Sequence, residues 1–141
     1  MTRKKTKGVT LLLAVFISTT ALTLGIGVFT LVYGQLRLSG AVKESLKAFY
    51  AAASGGECGL YWDFTQNAFS APGSINCAGN SYSVGGGALT KFDLALPNGA
   101  CAKVSVFKSG SETTVTSLGE NLSCGAAPSN RTVQRGLEVK Y

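Results

Sequence analysis

The chain has no histidine, one methionine, one tryptophan and three prolines among 141 residues. Without histidine, a His-based triad or dyad and a His-ligated zinc site cannot be built. Asp and Glu total only seven. They are thinly spread, and no two read as an acid–base couple. The four cysteines show no Cys-x-x-Cys spacing, which weakens a metal reading. Gly85-Gly86-Gly87 is followed by no Gly-Lys-Ser/Thr and opens no helical pattern, so it reads as a flexible turn, not a phosphate cradle. The turn serines lack a partner base. No catalytic residue, metal ligand or cofactor is expected.

Charge is also missing where its absence tells most. Val9 to Gly34 is a run of 26 residues without a single charge. As a helix it would span roughly 39 Å, against about 30 Å of bilayer hydrocarbon. It is too long for a core helix and longer than the apolar part of an ordinary secretory signal. A signal-type cut after Ala21, with Thr19 two residues before it, would leave Leu22 to Tyr33 as an exposed apolar stub. Arg3, Lys4, Lys5 and Lys7 precede the run, which sets the N-terminus in the cytoplasm and the remainder outside the membrane. A plain single-pass anchor is the simplest form of this reading.

The net charge of +6 resides in this leader and in residues 35–54, where Arg37, Lys43 and Lys47 outnumber Glu44. Beyond residue 54 cations and acids balance. A nucleic-acid footprint needs clustered cations on one face, so no nucleic-acid partner is expected.

After Gly34 the pattern changes. Leu38, Val42, Leu46, Phe49 and Ala53 recur at steps of four and three, the period of one buried helical face. Ser54-Gly55-Gly56 is expected to end the helix. Residues 56–87 read as an irregular connection, with a short strand at Tyr82–Val84. Strand patterns follow. Phe92, Leu94 and Leu96 alternate with polar or small residues up to the turn Pro97-Asn98-Gly99. Val104 and Val106 lead to the turn Lys108-Ser109-Gly110-Ser111. Thr113 to Leu118 is β-branched, and Val133, Leu137, Val139 and Tyr141 share one face. The expected fold class is α+β: a long N-terminal helix, membrane-spanning then amphipathic, packed on a small antiparallel sheet of four to five strands.

Cys58, Cys77, Cys101 and Cys124 all follow the apolar run. An even count in a small exported domain reads as disulfides. Three pairings are possible; Cys58–Cys77 and Cys101–Cys124 are favoured because the intervening segments look like local loops and a hairpin. Tyr50, Tyr61, Trp62 and Phe64 are expected to plug the space between helix and sheet, the alternative being an exposed recognition surface. Asn121-Leu122-Ser123 and Asn130-Arg131-Thr132 match the glycosylation pattern, which is common by chance.

The junction Lys7-Gly8-Val9-Thr10-Leu11-Leu12-Leu13 resembles the processing site of type IV pilins and pseudopilins. Thr10 and Leu11 match the family, and Val9 replaces its phenylalanine. Gly56-Glu57-Cys58-Gly59-Leu60-Tyr61-Trp62-Asp63 and Arg135-Gly136-Leu137-Glu138-Val139 are similar to segments of pilin-like proteins of small-genome bacteria. The resemblance implies a leader (1–8), a filament-core helix half (9–34), an amphipathic half (35–54) and a disulfide-bearing head (55–141). It implies cleavage between Gly8 and Val9 by a prepilin peptidase and methylation of Val9. Val9, Leu13, Gly25 and Gly27 would pack in the filament core; Gly25 and Gly27 mark the place where the helix would loosen in the filament, the alternative being ordinary transmembrane glycines. Partners would be other pilin subunits, the peptidase and the membrane-bound assembly machinery, and the final location a cell-surface filament. Leu13 departs from the family, which usually has glutamate there, and this favours an accessory over a main subunit. A membrane-anchored binding domain that never polymerises is the alternative.

Overall fold

A computed structural model describes residues 6–141. The leader cations Arg3, Lys4 and Lys5, with the Lys7 side chain, lie outside the described residues. Helix α1 runs Thr6–Gln66 and is followed by six strands: β1 (Gly73–Cys77), β2 (Asn80–Val84), β3 (Leu89–Ala95), β4 (Cys101–Ser109), β5 (Glu112–Glu120) and β6 (Gln134–Lys140). β1 and β2 form a two-stranded sheet, and β3-β4-β5-β6 form a four-stranded one. Every pairing is antiparallel. The architecture is α+β. The chain divides into two compact units, the first ending at Ala41 and the second Val42–Tyr141.

In the first unit α1 carries a stretch long and apolar enough to cross a membrane. Its few polar side chains are satisfied within the helix. The hydroxyls of Ser18, Thr19, Thr20, Thr23 and Thr30 each donate to a carbonyl three or four residues back. That matters in hydrocarbon, where no water takes over an unmet donor. At the end of the run Phe29 stacks on Tyr33, and the Arg37 guanidinium sits 5.0 Å from the Tyr33 ring centre. An aromatic ring beside a cation is the usual chemistry of a membrane–water boundary. Gly25 and Gly27 lie within α1 and do not interrupt it.

In the second unit α1 does not end at Ser54-Gly55-Gly56 but continues three turns to Gln66. These glycines are contact points, not terminators. A Cβ on Gly55 would fall 2.5 Å from the Ser117 hydroxyl and 2.8 Å from Ala102 and Val104. One on Gly119 of β5 would lie 2.0 Å from the Ala48 carbonyl and 2.3 Å from the Ala52 nitrogen. Helix and sheet thus meet backbone to backbone, which no larger residue permits. The helix stops at Asn67, whose left-handed φ of 47° turns the chain. There Asn67 and Ala68 donate to the carbonyls of Asp63 and Trp62, taking up last-turn acceptors.

The face turned to the sheet is therefore not the expected one. Ala48, Ala51, Ala52, Gly55, Gly56 and Gly59 are buried, whereas Leu38, Val42, Leu46 and Phe49 are exposed and only Ala53 of the expected stripe is half-buried. Side-chain size decided this, because only the small face lets the sheet approach. The expected aromatic plug is also displaced. Tyr50, Tyr61 and Phe64 are exposed, and Trp62 is half-buried with its indole N–H donated to the Asn76 carbonyl. The core is filled instead by Phe69, Ile75, Phe92, Leu94, Val104, Val106 and Val115. Phe69 stacks on Phe92, and Tyr82 packs against the same ring.

The segment expected to be irregular holds the end of α1 and the β1–β2 hairpin. Its two-residue turn, Ala78-Gly79, has positive φ at both positions, the geometry that matches strand twist.

Candidate functional site

Two disulfides fix the second unit. Cys58 joins Cys77 with Cα atoms 6.2 Å apart, tying α1 to β1. Cys101 joins Cys124 at 5.0 Å, tying β4 to the connection before β6. These are the pairs of the local-loop reading.

Asn121, half of a glycosylation triplet, is an internal brace. Its amide donates to Glu44 Oε2 (2.8 Å) and the Arg131 carbonyl (2.9 Å), and its oxygen accepts the Val133 N–H (2.8 Å). It is 5% exposed and unavailable to a glycan. Asn130 is exposed.

No local pattern signals the polar group at the end of α1. Asp63 is buried and lies 2.7 Å from Lys108 Nζ. Its other oxygen accepts the Tyr141 hydroxyl at 2.8 Å, and the Tyr141 ring stacks on Phe64 at 4.5 Å. Burial first, then the Asp63 hydrogen bond, hold the Tyr141 phenol above its ordinary value. An acid, a cation and a phenol from α1, β4 and the residue after β6 come together although 78 positions separate the outermost two. No local pattern encodes such a meeting.

The residues singled out for processing and packing lie on α1. Gly8 and Val9 are in its first turns, and Val9 and Leu13 are exposed. A Cβ added to Gly25 or Gly27 would touch nothing within 4 Å.

In the second unit the uncovered side of α1 carries Val42, Leu46, Phe49, Tyr50, Tyr61 and Phe64. Large apolar side chains at this density on one side of an element mark an interaction surface. Beside it a notch of about 140 Å³ opens between α1 and β6, lined by Ala53, Gly56, Glu57, Leu60, Val115, Leu137 and Val139. A wider groove of about 500 Å³ runs past Glu57, Tyr61, Trp62 and the Cys58–Cys77 bridge. The side the sheet takes coincides with a row of small residues at helical spacing (48, 51, 52, 55, 56, 59).

Among the described residues no group of three or more Cys, Asp or Glu is placed to hold a metal. The chemistry of this surface is that of packing: apolar area with one carboxylate at its margin. No family model matches the chain, and neither a curated protein nor a solved structure matches it.

Proposed function

We propose that the chain is a subunit, of the accessory kind, of a type IV pilus or related pseudopilus filament. It is held in the membrane by residues 9–34, cleaved after Gly8, methylated at Val9 and assembled through its apolar helix. The head faces away from the cytoplasm, and the chain acts as a structural part, not as an enzyme. One observation carries this reading most. The sheet takes the small face of α1 and leaves the large apolar residues of the same helix uncovered. A domain built to remain alone would hide Leu46, Phe49 and Phe64 first, since each large side chain buried contributes about 1.5–3 kcal/mol. Exposing them makes sense in an assembly that covers them later.

The spine supports the same reading. Its hydroxyls are internally bonded, and Leu13 brings no charge into hydrocarbon, so residues 9–34 exchange lipid for neighbouring helices at no polar cost. Small residues at Gly25 and Gly27 allow such helices to approach closely. The other partners, a prepilin peptidase and the assembly machinery, follow from the resemblance at the junction.

Mass spectrometry of the mature N-terminus, together with a search for the chain in sheared surface filaments, tests the proposal. The expected result is a chain that starts at methylated Val9 and is found in the filaments. An intact Met1, or a start at Leu22, overturns it; the first outcome points to a single-pass anchored binding domain.

A further inference from the structure

Six of the seven carboxylates have a counterpart within the fold. Glu44 accepts from Asn121, Asp63 pairs with Lys108, and Glu138 accepts from Thr116. Glu112 pairs with Lys140, Glu120 pairs with Lys103, and Asp93 stands across from Lys103 in the β3–β4 register. Glu57 is the exception: it is exposed and has no hydrogen bond or ion pair among the described residues. It sits where the notch and the groove beside α1 meet. Tyr61 lies one turn on, and its ring stands at 86° to Trp62, making an aromatic corner next to the carboxylate. Among the described residues no lysine or arginine lines either cavity. A carboxylate beside electron-rich rings, with no cation nearby, is a receptor for a cation.

The same helix carries a matching donor. Lys43 is exposed and also unpaired among the described residues. Fourteen residues separate it from Glu57, about 21 Å along the axis and about 40° around it. Both stand on the side of α1 away from the sheet. Two parallel copies slipped by that distance would bring Lys43 of one onto Glu57 of the other. The same slip sets Leu46 against Leu60 and Tyr50 against Phe64, apolar on apolar. The cation and the carboxylate lie at different heights, so the contact is head-to-tail and leaves each copy one free half. Such contacts propagate into filaments and do not close into dimers.

We infer that Glu57, in the corner made with Tyr61 and Trp62, receives Lys43 of a second copy of this chain and sets the axial register between neighbouring subunits. The inference rests on the filament reading and adds the contact that fixes the stagger. An exposed ion pair adds little strength by itself. Its role is to choose one register among those the apolar surface allows, as charge patterns do at other helical interfaces.

Charge reversal in the full-length chain tests this. Glu57→Lys and Lys43→Glu are each expected to lower the amount of chain in sheared filaments roughly ten-fold or more at equal membrane level, because like charges then face each other. The double reversal is expected to restore it. Unchanged yields from the single variants, or no restoration by the pair, overturn the inference. A second readout covers reversal variants that do not accumulate. Chains carrying both Lys43→Cys and Glu57→Cys are expected to form a ladder of disulfide-linked oligomers on oxidation, and absence of the ladder overturns the inference. Wild-type chain found in filaments while the reversed variants assemble equally well removes this contact and leaves the proposed function standing. A wild-type chain that keeps Met1 and is missing from filaments removes both.

Discussion

Residues 9–34 and 42–66 belong to one helix but solve different problems. The first stretch is uncharged, exposed all round, and ties its hydroxyls to its own backbone. Among the described residues, a Cβ added to its glycines would meet nothing within 4 Å. The second stretch is two-faced. Its small residues meet the sheet at backbone distance, and its large apolar residues stay outside. A glycine in the first stretch faces open space. In the second it leaves room for the chain's own sheet. Hydrophobicity alone therefore does not reveal what a helix packs against; the size of the residues on each face does.

Substituting glycines in both stretches is the sharpest way to break this comparison. Gly119→Leu drives a side chain into the backbone of Ala48 and Ala52. Overpacking of this kind costs about 1–3 kcal/mol or more, and with backbone as the obstacle the upper end is expected. Gly25→Ala and Gly27→Ala are expected to leave the stability of the second unit unchanged. Urea unfolding of the full chain in detergent compares the three. Equal losses from all of them would end the distinction between the two kinds of glycine.

Next in size is the polar group that closes the second stretch. Lys108→Met leaves Asp63 as a buried charge without its cation. Breaking a buried pair in this way costs about 3–5 kcal/mol at full burial. Lys108 is partly exposed, so about 2–3 kcal/mol is expected. Asp63→Asn combined with Lys108→Met should recover part of that loss, and no recovery would mean that the pairing is not what Lys108 contributes.

The disulfide of the second stretch comes next. Replacing both Cys58 and Cys77 by alanine opens a loop closed across 19 positions. The loop-entropy model puts the loss at about 3 kcal/mol, less where the new site strains or the unfolded chain stays compact. Thermal unfolding of the full chain checks it, and a loss much below about 1 kcal/mol would show that α1 and β1 hold together by packing.

The smallest effects come from groups at the margin. Ser117 Oγ is buried without a hydrogen-bond partner among the described residues. Ser117→Ala should be neutral or slightly stabilising, within about 0.5 kcal/mol; a larger loss would show that the hydroxyl has a partner. Tyr141 adds a pH test. The fold holds its phenol above the ordinary value of 10.0, so folding favours the protonated form. That stabilisation is complete below about pH 10 and declines as pH rises further. Tyr141→Phe should therefore lose less stability than the parent chain between about pH 10 and 11.

Much of the fold was legible because it is written in local patterns. Strands β3 and β4 alternate apolar with polar residues, β5 is rich in β-branched ones, and turn residues bound them. The apolar run announces itself by length and by lack of charge. The end of α1 was not legible, because glycine is both a helix stop and a contact residue. Only the position of Gly119 opposite Ala48 and Ala52 tells which role applies. The aromatics were misplaced for a related reason: Phe69 on the connection after α1 reaches the core first, and Tyr61 and Phe64 lie on the far side of the helix.

The candidate surface was half legible. Val42, Leu46 and Phe49 were visible as an apolar stripe, but the stripe was read as inward-facing. Glu57 carried no signal at all. An unpaired carboxylate becomes notable only when the other six are seen with their counterparts.

Linear pattern alone sets residues 9–34 apart as suited to hydrocarbon, puts strands after them, and leaves all four cysteines beyond the apolar run. Those properties depend on neighbours a few positions apart, and a linear pattern records them. Only the tertiary structure decided which side of α1 meets the sheet, where the helix stops, and that Asp63, Lys108 and Tyr141 share one site. These depend on how closely distant backbones approach. That distance is set by the smallest residues on both surfaces at once, and no single stretch of sequence contains both.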